Sequence, residues 1–247
     1  MKNRVIFVGV GGATCSGKTT LAKHLRNLLP GSVILHQDDF APPQELIPLH
    51  PEYKVQDWDS AEGAIDWPRM IKTLKEVKET GVIPPEHYSH DHLNEQRDVP
   101  IERKVSERWK ETFSRITKER EEKGERLIWV VVDGFLLYWH PEVVEQLDAR
   151  IFLRVPHDVL KQRRLERHGY HTAEGSLWRD PPHYWEQIVW PAYVAAHGGM
   201  LEGGDVEHGG PNGAVPGLIL IDGQEMGLAE TVEKVCARLA EKATEDQ

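Results

Sequence analysis

The feature that most constrains this chain is a short loop near its start. Residues 12–19 read Gly-Ala-Thr-Cys-Ser-Gly-Lys-Thr, which matches the pattern G-x-x-x-x-G-K-[ST] in full. The apolar run Val5–Val8 precedes the loop, and a helical pattern with leucines on one face follows it from Lys18 to Leu29. A strand, a glycine loop and a helix in this order form a P-loop, in which backbone N–H groups and the helix N-terminus converge on a phosphate.

Each residue of this loop is a candidate ligand of a nucleotide. The Lys18 ammonium can reach the β- and γ-phosphates and assist transfer, and the Thr19 hydroxyl can join the coordination sphere of Mg²⁺. A nucleotide with Mg²⁺ is therefore predicted, and the loop by itself leaves ATP and GTP both open. The predicted contacts with the nucleotide are consecutive along the chain: Gly12, Ala13, Thr14, Cys15, Ser16, Gly17, Lys18, Thr19 and Thr20.

The rest of the chain alternates between strand and helix patterns. Strands are predicted at Ser32–Leu35, Leu127–Val132, Ile151–Val155 and Leu218–Ile221, and helices at Ser60–Thr80, Glu102–Lys123, His157–His168, Tyr184–Ala196 and Gly227–Ala243. This alternation predicts an α/β fold of the P-loop NTPase type: a doubly wound, mainly parallel five-stranded sheet with helices on both faces and a helical lid. We expect one domain over residues 1–247, with the lid at about 157–182.

Two segments depart from this alternation. Residues 84–126 form a charged insertion, whose predicted helix has Trp109, Phe113 and Ile116 on its apolar stripe; we expect a solvated helix or a mobile loop there. Three histidines in the insertion have no paired cysteine, and we do not predict a structural metal site from them. Residues 198–217 contain eight glycines and two prolines, which predicts a flexible surface loop.

Composition excludes several classes of protein. Thirty Lys and Arg residues against forty Asp and Glu residues give a net charge of −10, which argues against a nucleic-acid partner. No apolar run approaches the roughly 20 residues of a membrane span, so no membrane partner is expected. Two cysteines are too few for a disulfide framework. We expect a soluble, cytoplasmic protein, and the sequence leaves its oligomeric state open.

Acidic residues follow two of the predicted strands. Asp38 and Asp39 come after the second strand, and Asp133 ends the apolar run Leu127–Val132. Ligands of doubly wound sheets bind beyond the carboxyl ends of the strands, so all three acids should open onto the same edge as the P-loop. There, Asp133 suits a metal ion, and Asp38 is the candidate base for an attacking hydroxyl. The loop alone leaves an NTPase, a nucleotide kinase and a small-molecule kinase open.

The order of further motifs resembles that of the nicotinamide riboside kinases, in the uridine-kinase-like branch of the P-loop kinases. The resemblance spans the chain outside residues 84–126 and 198–217. After the P-loop it is carried by Gln37-Asp38-Asp39-Phe40, Asp57-Trp58-Asp59, Asp133-Gly134-Phe135-Leu136-Leu137, Lys161–Arg167, Trp190-Pro191-Ala192-Tyr193 and Asp222-Gly223. It implies transfer of the ATP γ-phosphate to the 5′-hydroxyl of nicotinamide riboside, with nicotinic acid riboside as a further acceptor, in NAD biosynthesis.

The resemblance also implies roles around the nucleoside. Asp38 is the implied base, and it lies close to a magnesium ion held by Thr19 and Asp133. Trp58 and Asp59 match an aromatic–acid pair that holds the nucleoside: a carboxylate can accept both hydroxyls of a ribose diol, and an aromatic face attracts a pyridinium ring.

The remaining implied contacts come from two other motifs. Asp39 and Phe40 belong to the implied nucleoside site. In the basic helix, Arg163 and Arg167 face ATP, with Arg163 also catalytic, and Arg164 faces the nucleoside. Asp222-Gly223-Gln224 is placed where the family closes around adenine, which makes Gln224 a candidate ATP contact, and Tyr170 is a further candidate in the lid.

Two alternatives compete with this interpretation. A uridine- or cytidine-type nucleoside kinase of the same branch would need a pocket that hydrogen-bonds the edge of a base. A non-enzymatic, nucleotide-dependent regulator would lack a base for the 5′-hydroxyl, so the pair Asp38 and Asp59 argues against it.

Overall fold

The computed structural model describes residues 1–94, 98–167, 169–172 and 175–245. Strands and helices alternate along most of the chain, as the sequence predicts. In chain order they are β1 (Lys2–Gly12), α1 (Lys18–Leu28), β2 (Val33–His36), α2 (Trp67–Thr80), α3 (Arg103–Glu122), β3 (Glu125–Gly134), α4 (Pro141–Gln146), β4 (Ala149–Arg154), α5 (His157–Leu165), β5 (Tyr170–His171), β6 (Leu177–Trp178), α6 (Trp190–His197), β7 (Leu218–Asp222) and α7 (Leu228–Thr244).

The main sheet has five strands in the order β2-β3-β1-β4-β7, and these strands pair in parallel. The predicted five-stranded parallel sheet is confirmed. Its register sets Val10 of β1 beside Asp133 of β3, and Asp133 beside His36 of β2. Because all these strands run the same way, their carboxyl ends meet at one edge, directly above the P-loop.

Helices cover both faces of the sheet, as predicted. On one face, apolar side chains of α2 and α4 pack against Phe7 and Val130. On the other, α1, α3 and α7 pack against Ile6 and Val131. Neighbouring residues of a strand point to opposite faces, so each buried strand serves both cores. In the described part of the chain, no helix has the length and apolar character needed to cross a membrane.

The helix of the charged insertion packs one face against the sheet, whereas a solvated helix or mobile loop was expected. Phe113 is fully buried, and its ring contacts the edge of Trp129 with the centroids 5.6 Å apart. Ile116 is buried beside it, and the Trp109 indole N–H donates to Glu233 of α7 at 3.1 Å. Most charged side chains of α3 therefore face solvent, while its apolar stripe covers the sheet and Arg120 is buried.

Two arginines fasten the last turn of α7 to the rest of the molecule. The Arg4 guanidinium donates to the carbonyls of Ala243, Glu245 and Lys242 at 3.4, 2.8 and 2.9 Å. Arg120 of α3 donates to Ala243 and Glu245 at 2.9 Å each. These donors satisfy carbonyls that a helix end leaves unpaired, and their positive charge suits the helix C-terminus.

Two further elements differ from the prediction. Helix α2 begins at Trp67 rather than Ser60, because the Asp66 side chain caps it by accepting from the Arg69 N–H at 3.1 Å. The predicted helix 184–196 is present, with a π-helical turn, Trp185–Val189, before α6. The basic helix α5 ends at Leu165, and residue 168, where it was expected to end, lies outside the described residues.

The glycine-rich segment 198–217 is not a loose surface loop. Four of its apolar side chains are buried, and two short 3₁₀ turns shape its first part. Arg154 of β4 donates to the Gly209 carbonyl at 2.8 Å, and the Glu202 N–H donates to the Gly210 carbonyl at 2.8 Å. The glycines permit sharp turns, while the apolar residues between them anchor the segment: Met200, Leu201, Val206 and Val215.

The burial of α3 predicts a large effect of one substitution. Phe113→Ala should lower the free energy of unfolding by about 3–5 kcal/mol, because it leaves a cavity between α3 and β3. The exposed neighbour Ser114→Ala should change it by less than about 0.5 kcal/mol. Urea denaturation followed by circular dichroism measures both, and equal stabilities would mean that α3 does not pack on the sheet.

Candidate active site

A cleft of about 750 Å³ opens at the carboxyl edge of the main sheet. Its walls come from the P-loop, the ends of β2 and β3, the lid, the insertion and the start of α7. The P-loop, the strand-end acids and the lid arginines thus meet in one cavity, as the sequence predicts. A cavity of this size and mixed lining is typical of small-molecule sites.

The P-loop has the backbone geometry of an anion cradle. Gly17 has a φ of 95°, and Gly12 has a φ of 150° where a Cβ would lie 2.7 Å from the Leu153 carbonyl oxygen, so both positions favour glycine. The Ser16 hydroxyl is buried without a hydrogen-bond partner. An unpaired buried donor in a loop of this shape fits a phosphate oxygen.

Most predicted P-loop contacts line the cleft. Residues 14–20 all do, including Lys18 and Thr19. Gly12 and Ala13 are buried beneath the loop and are absent from the cleft wall. Neither side chain can therefore contact ATP from the cleft wall. Gly12 and Ala13 instead form the buried start of the P-loop.

Asp133 is held at the end of β3 with one oxygen engaged and one free. Its Oδ2 accepts from His36 Nδ1 at 3.1 Å, and its Oδ1 is buried with no hydrogen-bond partner. Burial alone would raise the pKa of Asp133, but the hydrogen bond from His36 and the charge of Lys18 lower it. The same carboxylate raises the pKa of His36 against the opposing effect of burial. Asp133 is thus an ionised group with an oxygen available for a cation.

The donors near Asp133 fit a magnesium ion better than a protein-enclosed metal. Mg²⁺ prefers oxygen ligands and takes most of them from water and phosphate, and here Asp133 and the Thr19 hydroxyl line the same cleft. Among the residues that the structure describes, no group of three or more His, Cys, Asp or Glu side chains could hold a metal ion. Mg²⁺ at Asp133 and Thr19 would take its other ligands from water and phosphate.

Asp38 projects into the cleft from the 3₁₀ turn Gln37–Phe40 that follows β2. Its side chain is open to the cavity, yet the surrounding protein displaces much of its water and raises its pKa. The charge of Lys18 opposes this rise, and that of Asp133 adds to it. A carboxylate with a raised pKa, beside a phosphate cradle, is suited to accept a proton.

Two neighbours of Asp38 do not take the places predicted for them. The carboxylate of Asp39 turns to the insertion: Oδ1 accepts from the His90 N–H at 2.8 Å, and His87 Nε2 lies 3.6 Å from Oδ2. Burial would raise the pKa of Asp39, but the nearby His87 ring and the hydrogen bond from the His90 N–H lower it. The prediction that Phe40 contacts the nucleoside is wrong, because Phe40 is fully buried and packs between His87 and Arg69. Asp39 thus lines the cleft together with Asp38 and Asp133, but its carboxylate is engaged by the insertion.

Trp58 and Asp59 both line the cleft, as predicted. The Trp58 ring lies 5.7 Å from that of Trp178, centroid to centroid, at an angle of 54°. Asp59 Oδ1 accepts from Arg164 at 3.3 Å, while its Oδ2 is buried without a partner. Burial raises the pKa of Asp59, although the Arg164 charge counteracts it. An aromatic face thus stands beside a carboxylate oxygen that needs a donor.

Arg164 is buried, and its guanidinium is occupied by neighbouring carboxylates rather than exposed to a ligand. Its guanidinium donates to both oxygens of Asp180, at 2.6 and 3.1 Å, as well as to Asp59. It also lies 4.9 Å from the centre of the Tyr170 ring. Bidentate pairing of this kind fixes the position of a planar guanidinium. Arg164 therefore orients Asp59 and joins it to the lid.

The lid rests on the P-loop. Arg163, which is exposed, donates to the Cys15 carbonyl at 3.1 Å. The Tyr170 hydroxyl in β5 lies 3.0 Å from Thr14 Oγ1 and 3.3 Å from Cys15 Sγ. Arg167 stacks over the Tyr170 ring at 4.2 Å. Both predicted arginines line the cleft, and Tyr170 has a firmer place in the site than its sequence context suggested.

Some cleft residues were not predicted. Trp178 lies in β6, which pairs with β5 to form a lid hairpin, and the hairpin pairing is too short to leave a sequence pattern.

Gln224, a predicted ATP contact, is exposed and absent from the cleft wall, because the Asp222 side chain closes a turn there by accepting from the Gln224 N–H at 3.0 Å. At this end of the cleft the wall is formed instead by Gly223, Met226, Gly227, Leu228 and Thr231.

The insertion also reaches the cleft. His90, Asp91, Asn94 and Val99 line it. Asn94 Oδ1 accepts from the His171 N–H of the lid hairpin at 3.2 Å, so the insertion and the lid touch. The sequence signal that could have indicated this was the polar, histidine-rich stretch ahead of α3, although charge alone does not distinguish it from a solvated loop.

A phosphate cradle, an open carboxylate and an arginine-bearing lid in one cleft define a kinase of the P-loop class. The profile of the Phosphoribulokinase / Uridine kinase family matches residues 7–172, and the chain belongs to this family. The chain is 34% identical to a nicotinamide riboside kinase of Saccharomyces cerevisiae over 205 residues, covering 83% of this chain and 82% of that protein. It is 34% identical over 209 residues to one of Schizosaccharomyces pombe, covering 83% and 85%. The resemblance drawn from the motifs is confirmed.

A more distant relative supports the same grouping. Nicotinamide riboside kinase 2 of Homo sapiens is 30% identical to this chain over 188 residues, covering 76% of this chain and 66% of that protein.

The contact between the lid and the P-loop generates a prediction. Tyr170→Phe removes a hydroxyl that bonds Thr14 and Cys15, a loss of about 0.5–1.5 kcal/mol. Amide hydrogens of α5 in the nucleotide-free protein should therefore exchange about 2- to 10-fold faster, as measured by mass spectrometry. Tyr88→Phe, on the exposed part of the insertion, is the matched control. Unchanged exchange in Tyr170→Phe would show that the hydroxyl does not hold the lid.

Proposed function

We propose that this chain transfers the γ-phosphate of ATP to the 5′-hydroxyl of nicotinamide riboside, forming the mononucleotide for NAD biosynthesis. The observation that carries the proposal is that a phosphate cradle and two carboxylates, Asp38 and Asp59, face one cleft. The substrate named for the relatives gives the acceptor, and the residues of this cleft suit its ribose and its cationic ring.

The acceptor is held from two sides. The unpaired Oδ2 of Asp59 accepts from a hydroxyl of the ribose diol, which removes the cost of a buried oxygen without a donor. Arg164 fixes Asp59 through its hydrogen bond to Oδ1. The Trp58 face lies beside the nicotinamide ring, where a cationic ring gains stacking and cation–π attraction. Nicotinic acid riboside shares this ribose and is a second acceptor of the proposed site.

Transfer follows from the placement of the cradle and Asp38. The P-loop N–H groups and Lys18 hold the β- and γ-phosphates, and Asp38 accepts the proton of the 5′-hydroxyl. The 5′-oxygen forms a bond to the γ-phosphorus as the bond from that phosphorus to the bridging oxygen of ADP breaks. Arg163 and Arg167 balance the negative charge that spreads over the transferring group, and the lid excludes water.

The same residues fit the metal that such a reaction uses. Thr19 and Asp133 would hold Mg²⁺, with Asp38 close by. When bound, Mg²⁺ neutralises charge on the β- and γ-phosphates.

Removal of the proposed base should separate binding from transfer. Asp38→Ala should lower kcat by about 100-fold or more, because general-base catalysis contributes about 10²–10⁴-fold, while ATP affinity stays within about 3-fold. Lys18→Ala, in contrast, should weaken both ATP binding and turnover. Initial rates of ADP release and calorimetric titration with ATP measure the two effects. Normal turnover in Asp38→Ala would contradict the role given to Asp38.

Removal of the stacking ring should act on the acceptor alone. Trp58→Ala should raise the KM for nicotinamide riboside by about 5- to 30-fold, as expected for about 1–2 kcal/mol of cation–π and stacking energy, with little change in the KM for ATP. Tyr53→Ala, in the preceding loop and outside the cleft wall, is the control. An effect confined to ATP would place Trp58 on the wrong side of the cleft.

The function itself is tested by product identity. The purified protein, ATP and Mg²⁺ are incubated with nicotinamide riboside, nicotinic acid riboside, uridine, cytidine and no nucleoside, and the products are identified by mass. We expect nicotinamide mononucleotide with the highest kcat/KM. Preferential uridine or cytidine monophosphate would support the pyrimidine nucleoside kinase, and nucleotide binding without any phosphorylated product would support the regulator.

A further inference from the structure

Two side chains that the proposed reaction does not use connect the insertion to the acidic end of β3: Asp91 of the insertion and His36 of β2. We propose that His36 and Asp91 are positioning residues, which hold Asp133 in the orientation that binds the divalent cation. The insertion is then a supporting part of the metal site. This inference rests on the metal-binding role given to Asp133 in the proposed function, but not on the identity of the acceptor.

The backbone places His36 for this task. His36 ends β2 and is the register partner of Asp133 in β3, so the two side chains lie next to each other at the cleft edge. Its Nδ1 is 3.1 Å from Asp133 Oδ2. One oxygen of Asp133 is thereby held, and Oδ1 is left buried and without a hydrogen-bond partner. A carboxylate held on one oxygen presents the other to a cation in a fixed direction.

Asp91 extends the contact to the insertion and back to α1. Its Oδ2 lies 3.8 Å from His36 Nε2 and 2.8 Å from the Lys23 ammonium. Lys23 is one turn beyond Thr19 in α1. The series of contacts therefore runs from Asp133, one proposed metal ligand, through His36 and Asp91 to the helix that carries the other. The ring of His36 is confined between two carboxylates, one at each nitrogen, and this fixes its orientation.

The position of Asp91 is itself determined by the structure. The preceding residue, His90, donates its N–H to Asp39 Oδ1 at 2.8 Å, and Asn94 accepts from His171 of the lid hairpin at 3.2 Å. Asp91 begins the 3₁₀ turn Asp91–Leu93 between these two attachments. The insertion is therefore fastened on both sides of the residue that faces His36.

The test measures cation binding without any nucleoside. The protein is saturated with a non-hydrolysable ATP analogue, and the affinity for Mn²⁺ is determined by electron paramagnetic resonance. His36→Leu should weaken Mn²⁺ binding by about 10-fold or more, because loss of a partner of a ligating side chain typically costs 10- to 100-fold in metal affinity. His36→Asn keeps an N–H donor near the position of Nδ1 and should remain within about 3-fold of the unmodified protein.

The role of the insertion is tested by a matched pair of charge removals. Asp91→Asn should weaken Mn²⁺ binding by about 3-fold or more, since it loses the charge that faces His36 while keeping the shape of the side chain. Glu86→Gln, exposed on the same insertion, should leave it unchanged. Thermal denaturation and binding of the analogue in EDTA establish that each variant is folded.

The outcomes are decisive in either direction. Three results would overturn the proposal. The first is normal Mn²⁺ affinity in folded His36→Leu, and the second is an equal effect of Asp91→Asn and Glu86→Gln on that affinity. The third is a loss of analogue binding in EDTA as large as the loss of Mn²⁺ binding. If His36→Leu does not fold, the Asp91 and Glu86 pair decides. Because no nucleoside is present, these results stand apart from the product assay, which can fail while the cation measurements succeed.

Discussion

The parallel pairing of β1 with β3 is the constraint on which the cleft depends. It sets Val10 beside Asp133, so the strand that leads into the P-loop ends next to the strand that ends in a carboxylate. A shift of this register by one residue would turn Asp133 to the opposite face of the sheet and bury the wrong apolar set. Two fully packed cores, one on each face, penalise such a shift, so the positions of the cradle and the acid are fixed by hydrophobic packing rather than by a ligand.

Two neighbouring aspartates in this cleft have pKa values shifted in opposite directions by their surroundings. Asp38 and Asp39 are adjacent, yet the pKa of Asp38 is raised by loss of water, and that of Asp39 is lowered by the nearby His87 and by hydrogen bonding with His90. The first is suited to take up a proton, and the second keeps its charge and fastens a loop. Both residues lie in the 3₁₀ turn after β2, and consecutive residues of so tight a turn point to different sides. The Asp38 side chain therefore faces the cleft, while that of Asp39 faces the insertion.

Much of this architecture could be predicted from the sequence, because its determinants are local. The P-loop spacing, the apolar strands and the acids after them each lie within a few residues, and the sheet, its order of elements and the family follow from them. The places of α3, Phe40 and Gln224 could not be predicted, since they depend on what packs against them. The apolar stripe of α3 was visible, but only the sheet beneath it shows that the stripe is buried; the Asp39 contacts and the lid hairpin likewise join segments far apart in sequence.

Helix α7 extends from the cleft to the two arginines, Arg4 and Arg120, that hold its last turn. Its first turn supplies Leu228 and Thr231 to the cleft, and its last turn is fastened by Arg4 and Arg120 at the opposite edge of the sheet, where β1 begins. A helix of 17 residues is stiff over this length, so its two ends move together. The contacts of Arg4 and Arg120 therefore help to position the cleft residues Leu228 and Thr231, about 25 Å away by the rise of about 1.5 Å per residue.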